Sequence, residues 1–278
     1  MKAILIVNAD DFGLSEGTND AILQGHRRGI ITSTSLLANG LAFDHAVALA
    51  KAAPTLDVGV HLTLTEGAPV AEHVEALLAP DGKLPLSNQP FARALIAGRL
   101  PREAIRREFA AQVAKIVDSG LRPTHIDGHK YIHLLPGITA IAVEVARRFR
   151  IRGMRIPRRL ADSLSRPARL PGLLAIGALG ALAYPAARDR CVPDRFMGFM
   201  DTGHLDHGTL RRLLSIPRPG CTELLCHPAH PTPALSALGY DWIAGYAFEA
   251  EAAAVGDPAI RREAEAVGWQ FGNFGEMA

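Results

Sequence analysis

Near its N-terminus the chain carries the stretch Ile4-Leu5-Ile6-Val7-Asn8-Ala9-Asp10-Asp11-Phe12-Gly13-Leu14-Ser15. The apolar run over 3–8 predicts a buried β-strand, and Ser15 suits the start of a helix that ends before Gly29. Asp10 and Asp11 follow the strand directly, where like charges repel each other and burial penalises both. A divalent cation would remove this conflict; alternatively, one aspartate only caps the helix. The stretch therefore predicts a βα unit with a cation site at the end of its strand.

Strand-like and helix-like segments alternate along the remainder of the 278 residues. This alternation predicts an α/β protein with a mainly parallel sheet in one domain covering 1–278. Seven or so βα units that close on themselves would form a TIM-like (β/α) barrel, and an open sheet is the alternative. Strands are predicted at 31–38, 57–65, 123–127, 154–157, 221–226 and 269–271, and helices at 43–53, 101–119, 136–149, 208–214 and 242–267.

Two regions interrupt the alternation. The region 67–100 is rich in proline and glycine, which predicts an active-site loop with one short helix. The insert 158–200 contains an apolar segment, 170–187, with arginines on both sides. We predict a buried helix there. One alternative is a helix lying on a membrane surface. The other is a transmembrane helix, which the prolines and glycines of the segment disfavour.

Composition limits the partners and the compartment. The net charge is +2 and aromatic residues are few, so nothing favours nucleic acid as a partner. The three cysteines form no CxxC pair, which is typical of a reducing compartment. The chain enters a strand at once, which argues against a secretory signal peptide. We therefore expect a cytoplasmic protein, either soluble or in peripheral contact with the inner membrane face through 158–190.

Histidines recur where later strands end. In the third predicted strand, alternation turns His61 away from the aliphatic side chains and places it among small neighbours. In the run His125-Ile126-Asp127-Gly128-His129-Lys130-Tyr131-Ile132-His133, the same alternation puts His125, Asp127 and His129 on one face if the run stays extended. A carboxylate between histidines can fix their orientation and tautomer, as at many metal sites.

The strand over 221–226 leads directly to His227. The proline that follows cannot donate a backbone hydrogen bond and so ends the pairing with the neighbouring strand. This makes His227 a candidate general acid or base. Four strand ends thus carry Asp10 and Asp11, His61, His129 and His227. In parallel α/β sheets such residues assemble at one edge, and one carboxylate with two histidines leaves a metal coordination position open for water.

The motifs NADDFGLS, TSTSLLANG, GVHLTLTEG, PTHIDGHKYIH and ELLCHPAH resemble those of the YdjC/ChbG family of carbohydrate deacetylases. The resemblance implies a distorted (β/α) barrel and metal-dependent removal of an N-acetyl group from an amino sugar. Position by position it implies that Asp11, His61 and His129 bind the metal, that Asp10 is the general base, and that His227 assists the leaving group. It also makes a homodimer plausible.

The HKxxH spelling and the long insert before residue 200 resemble the branch associated with hopanoid biosynthesis, whose substrates are glycolipids. We therefore predict an N-acetylated oligosaccharide or glycolipid as substrate, contacted by Glu66, Asp127, Tyr131 and His133. The predicted cofactor is one divalent ion, magnesium or zinc, with manganese, cobalt or nickel as alternatives. Two other classes stay open: a mononuclear non-haem iron oxygenase, which uses the same ligand triad, and a non-catalytic metal- or sugar-binding protein.

Overall fold

The fold is given by a computed structural model, in which residues 2–162 and 165–277 are described. The first strand, β1 (Ala3–Phe12), is longer than predicted and runs through the aspartate pair. It pairs in parallel with β2 (Ser33–Leu36), and the register shifts between Ala9 and Phe12. At this irregularity Asp11 has a φ of 64°, in the left-handed region. A bulge of this kind re-aims side chains, so the aspartates end the regular ladder even though the strand continues.

The remaining strands are β3 (Asp57–Leu62), β4 (His125–Gly128), β5 (Gly153–Met154), β6 (Arg195–Met197), β7 (Gly220–Cys226) and β8 (Trp269–Phe271). Among the described residues every strand pair is parallel, in the order β5-β4-β3-β2-β1-β7-β6, and β8 pairs with the first residues of β1. Isolated bridges from Gly153 to Cys191 and from Leu160 to Phe196 bring the two edges of the sheet together. The sheet is thus curled into a distorted barrel, which confirms the predicted α/β fold class.

Helices connect the strands and cover the outside of the sheet. They are α1 (Glu16–Arg28), α2 (Phe43–Ala52), α3 (Gln89–Ile96), α4 (Arg102–Asp118), α5 (Ile138–Arg148), α6 (Leu170–Ala187), α7 (His207–Leu214), α8 (Pro233–Ala237), α9 (Phe248–Val255), α10 (Pro258–Val267) and α11 (Phe274–Met277). In α4, the apolar side chains of Ile105, Phe109, Val113 and Ile116 are completely buried, whereas Val117 is 38% exposed. Burial of such a stripe on the sheet is the main source of stability for a helix of this length.

The loop region 67–100 contains one short α-helix, α3, as predicted, and in addition a 3₁₀ turn at Glu75–Leu77. The start of the loop region is fixed by the buried carboxyl group of Glu108 in α4. This group accepts hydrogen bonds from the backbone N–H groups of Val70 and Ala71. Glu108 also accepts a hydrogen bond from Gln112 Nε2 at 2.7 Å. The loop is therefore anchored to a core helix by a carboxyl group that has no access to water.

In the second half of the chain one sequence prediction fails, and the short elements β6, α8 and α11 were not predicted. The single helix predicted over 242–267 is two helices, because Asp257 caps α10 and Pro258 occupies its first turn. The strand β6 was not predicted, since three residues are too short to show a periodicity.

The apolar segment 170–187 is a helix, α6, as predicted. Together with the preceding turn it covers Pro167–Ala187 and is long and apolar enough to cross a membrane by length and composition alone. Only 28% of its most apolar window is buried in the protein. The prediction of a buried helix therefore describes one side of α6 and not the other.

Candidate metal centre and active site

The C-terminal ends of β1, β3 and β4 place three side chains around one point. Asp11 Oδ1 lies 3.1 Å from His129 Nδ1 and 3.5 Å from His61 Nε2. All three side chains are buried, and one ligand atom from each lies within 4.8 Å of the others. The structure thus brings together the three residues that the sequence predicts as metal ligands.

The backbone after β4 explains how His129 reaches this point. The chain enters a 3₁₀ turn in which Lys130 and Tyr131 have positive φ values of 49° and 57°. Because the run does not stay extended, the prediction that His125 and His129 share a face is wrong. His125 instead stacks on Phe274, with ring centroids 3.9 Å apart, and does not join the site.

Negative charge dominates the surroundings of the two imidazoles. Burial alone lowers the pKa of His129, but Asp11 and Glu66 raise it to about 10. Burial also lowers the pKa of His61, and neighbouring carboxylates, Asp127 foremost, raise it above its ordinary value. Burial raises the pKa of Asp11, and the adjacent positive imidazoles lower it well below its usual range. The point where the three groups meet therefore favours positive charge.

The donor set fits a divalent cation. Among the described residues, Asp11 Oδ1 is buried without a hydrogen bond, which is costly unless another partner supplies positive charge. One carboxylate and two imidazoles are common ligands of zinc and of other first-row divalent ions. A cation could thus take the place of the protons that these histidines otherwise hold.

A carboxylate orients each histidine through its other ring nitrogen. His61 Nδ1 donates to Asp127 Oδ1 at 2.7 Å, and His129 Nε2 donates to Glu66 Oε2 at 2.9 Å. Glu66 also accepts hydrogen bonds from Trp242 Nε1, at 3.2 Å, and from Lys130 Nζ. These contacts fix the tautomers, so each imidazole presents its remaining nitrogen towards Asp11.

The four predicted substrate contacts separate into two groups. Asp127 and His133 have no exposed surface, so neither can touch a substrate in this conformation. Burial lowers the pKa of His133 to about 4, and its neutral ring donates through Nε2 to the carbonyl of Arg155 at 2.9 Å. Glu66 is buried behind His129 and lines a smaller adjoining cavity, whereas Tyr131 lines the main one. Tyr131 alone keeps the geometry expected of a direct contact.

Arg155 is the residue that the sequence predictions miss. It is fully buried, and its guanidinium donates to both oxygens of Asp10 at 2.7 Å. It also contacts Asp127 Oδ2 at 3.0 Å and Glu223 Oε1 at 2.7 Å. A lone arginine in the apolar run at 153–157 was the signal that could have found it, because a charge in a buried strand needs a partner. Arg155 fixes the position of Asp10 beside the three predicted metal ligands.

His227 follows β7, and its side chain lines the same cavity as Asp10 and the three predicted ligands. Its backbone N–H donates to the carboxyl group of Glu251, whose pKa burial raises to about 7. Burial lowers the pKa of the His227 imidazole, although Asp10 opposes this shift. The two predicted acid–base residues, Asp10 and His227, therefore both have access to one cavity.

This cavity has a volume of about 390 Å³. Away from Asp11, His61 and His129, its walls include the aromatic side chains of Tyr131, Phe199, Trp242 and Tyr246. The Trp242 and Tyr246 rings lie 5.1 Å apart. A cavity of this size with a few convergent polar groups is typical of a small-molecule site.

Comparisons with known proteins agree with this geometry. The chain is 35% identical over 231 residues to a carbohydrate deacetylase of Geobacillus stearothermophilus, covering 83% of this chain and 81% of the relative. It is 43% identical over 147 residues to a carbohydrate deacetylase of Brevibacillus brevis and 41% identical over 162 residues to a chitooligosaccharide deacetylase of Klebsiella pneumoniae. These two matches cover 53% and 58% of this chain, and they span less than two thirds of the relatives, 57% and 62% of their lengths.

The fold is also found in a solved structure. A crystal structure from Enterococcus faecalis V583, described as a candidate cellobiose-phosphate cleavage protein, is 26% identical and has a TM-score of 0.76, with both chains covered completely. The model of the YdjC-like protein family matches residues 4–266. The chain therefore belongs to the YdjC-like protein family.

Proposed function

We propose that the protein is a metal-dependent carbohydrate N-deacetylase, which hydrolyses the acetamide of an N-acetylated amino sugar to acetate and a free amine. The observation that carries this proposal is the position of Asp10 and His227 in the cavity that also holds the cluster of Asp11, His61 and His129. Hydrolysis of an amide needs a base for water, a proton donor for the amine and a stabiliser of the oxyanion. The names of the relatives from Geobacillus, Brevibacillus and Klebsiella support the same reaction.

Each group has a distinct role in the proposed reaction. Asp11, His61 and His129 would hold the divalent ion, which when bound polarises a carbonyl and lowers the pKa of water. Asp10, fixed by Arg155, takes a proton from water as the water oxygen bonds to the acetamide carbon. The C–N bond then breaks, and His227 donates a proton to the departing nitrogen. Acetate and the amine leave, and proton transfer from Asp10 restores both groups.

The aromatic side chains of the cavity provide a surface for the sugar. Trp242 reaches Glu66 through its indole N–H and lies with its ring centroid 5.9 Å from that of His129. Aromatic faces pack well against the apolar face of a pyranose ring while polar groups fix its hydroxyls. A sugar seated on Trp242 and Tyr246 would place its acetamide near the ligand cluster.

The finer predictions rest on the sequence. The substrate is either a soluble oligosaccharide or a glycolipid of the kind that the hopanoid-associated branch uses, and the protein is cytoplasmic. The metal is magnesium or zinc, with manganese, cobalt or nickel as alternatives. The predicted homodimer is tested by sedimentation of the purified protein.

The decisive experiment measures acetate release from a panel of N-acetylated oligosaccharides and glycolipids, with each metal added to metal-free protein. Asp10→Asn and His227→Ala should each lower turnover by about 100-fold or more, because a positioned acid or base contributes 10²–10⁴-fold. Both should retain the metal when it is measured by elemental analysis, whereas His61→Ala should lose it.

Near-normal deacetylation by Asp10→Asn would show that the proton-transfer role is wrong. Oxygen consumption with iron and without acetate release would favour the oxygenase, which needs no acid–base pair. A bound metal with no exchangeable water and no turnover of any substrate would favour a binding protein.

A further inference from the structure

Helix α6 is apolar around its whole circumference, but the protein covers only one side of it. The buried positions recur every three to four residues and form one stripe: Leu173, Ile176, Gly180, Ala183 and Ala187. This stripe faces α5 and the turn over 129–134, which are in contact with α6. A helix that is hydrophobic all round is normally covered on every side, by protein or by lipid.

The opposite side of α6 is exposed and carries no polar group. Its exposed positions are Leu170, Pro171, Leu174, Ala175, Ala178, Ala181, Leu182 and Pro185. At about 100° per residue they cover an arc of roughly 140°, and the 18 residues of the helix extend for about 27 Å. Leu174 and Leu182 are 63% and 68% exposed. A continuous apolar surface of this length usually marks an interaction site.

Positively charged side chains stand at both ends of this face. Arg166 precedes the helix and Arg188 follows it, and both are exposed. At the second end Asp189 is already paired with Arg147 at 3.0 Å, and Arg190 contacts it as well. An apolar helical face bounded by cations is complementary to a bilayer surface, where acyl chains meet anionic headgroups.

The same helix forms part of the active-site wall. Gly172 in the first turn of α6, with Ala168 and Arg169 in the turn before it, lines the cavity that contains Asp10 and His227. Arg169 donates to the carbonyl of Thr202 at 2.9 Å, which ties the residue before the helix to a segment that also lines the cavity. Whatever covers the exposed face of α6 therefore lies beside the cavity.

We propose that the exposed face of α6 docks on the surface of an anionic phospholipid bilayer, with the helix parallel to the membrane and the cavity at headgroup level. A second copy of the chain fits less well. Parallel or antiparallel pairing of two such helices would bring arginines of both copies together at the ends. A transmembrane position would remove the buried stripe, which includes Leu173 and Ile176, from the protein core. This inference does not depend on the proposed reaction.

The test is co-sedimentation of the full chain with vesicles of phosphatidylglycerol and phosphatidylcholine in equal parts, and with phosphatidylcholine alone. Leu174→Asp/Leu182→Asp should lower the bound fraction by about tenfold or more, because two charges enter the apolar face. Ile216→Asp is the matched control: Ile216 is as exposed as Leu182, at 68%, but precedes β7 at the opposite end of the sheet from the cavity. It should bind like the parent chain.

A second variant, Arg166→Gln/Arg188→Gln, leaves the apolar face intact and should weaken binding only to the anionic vesicles, by several-fold. Thermal unfolding and acetate release from a soluble substrate show whether each variant is folded, so loss of docking is distinguishable from loss of the enzyme. Failure of the parent chain to sediment with anionic vesicles, or equal binding by Leu174→Asp/Leu182→Asp, would overturn the proposal. Self-association abolished by Leu174→Asp/Leu182→Asp, without vesicle binding, would assign the face to a second copy instead.

Discussion

Replacing Arg155 with methionine should destabilise the protein more than any surface substitution of the same kind. Arg155 is the shared partner of three buried carboxylates, with two contacts to Asp10, one to Asp127 and one to Glu223, all between 2.7 and 3.0 Å. Methionine fills a similar volume but leaves these carboxylates without that positive charge. The side chains of Asp127 and Glu223 cannot turn to water, because both are fully buried.

The size of the effect follows from the number of contacts and from one pKa. Removal of one partner from a buried ion pair costs about 3–5 kcal/mol. Burial raises the pKa of Glu223 to about 7, so this carboxyl can be neutralised by a proton near neutral pH. We therefore expect a loss of about 5 kcal/mol at pH 8 and a smaller loss at pH 6. The larger value lowers Tm by about 10 °C for a chain of this size.

Urea denaturation followed by circular dichroism, at pH 6 and pH 8, measures this loss. Arg147→Met is the matched control, since Arg147 pairs with Asp189 at 3.0 Å on the surface. That substitution should cost less than about 1 kcal/mol. Arg155→Met should also lower acetate release by about 100-fold in the folded protein, because Asp10 is no longer held in place.

A second substitution tests the cause. In the Arg155→Met background, Glu223→Gln removes one uncompensated carboxylate and should restore roughly 1–3 kcal/mol at pH 8, so the two changes are not additive. The reasoning is refuted if the free energy of unfolding of Arg155→Met at pH 8 differs from that of the parent chain by less than about 0.5 kcal/mol. It also fails if Glu223→Gln brings no recovery in that background.

Three further predictions concern other parts of the chain. Burial raises the pKa of Asp162 from 3.8 to about 6, so the folded state holds this proton more tightly than the unfolded chain does. The folded state therefore loses stability as the pH rises from about 4 to about 6. Asp162→Asn should therefore add up to about 3 kcal/mol above pH 6 and nothing below pH 4, by urea denaturation across that range. Glu66→Gln should weaken metal binding by about 10–100-fold in calorimetry, because His129 loses its orienting carboxylate; an unchanged affinity would contradict this. Glu108→Leu should release the loop region 67–100, and limited proteolysis should then cut within it at least several-fold faster while the barrel stays intact.

Local pattern predicted the parts of the site that lie at strand ends. The apolar runs leading to Asp11, His61 and His227 each predict a buried strand, and parallel strands end at a common edge. Proximity of these side chains therefore follows from the strand pattern together with the parallel topology. His129 was found for a related reason, although the turn that carries it was not predicted.

The local sequence pattern could not predict the contacts that orient these residues. Glu66 meets Trp242, which lies 176 residues further along the chain, and Asp10 meets Arg155 after 145 residues. Each of these residues taken alone is an ordinary acid, base or aromatic. Their roles depend on which groups share a region from which water is excluded.

The sequence by itself determined where the longer strands and helices form and which chemical groups stand at the strand ends, because periodicity and turn residues act over a few neighbouring positions. Only the tertiary structure decided that Arg155 holds Asp10, that Asp127 and His133 lie beneath the cavity rather than in it, and that one side of α6 stays uncovered. These outcomes depend on burial and on electrostatic interactions between distant segments, which are defined only once the chain has closed around them.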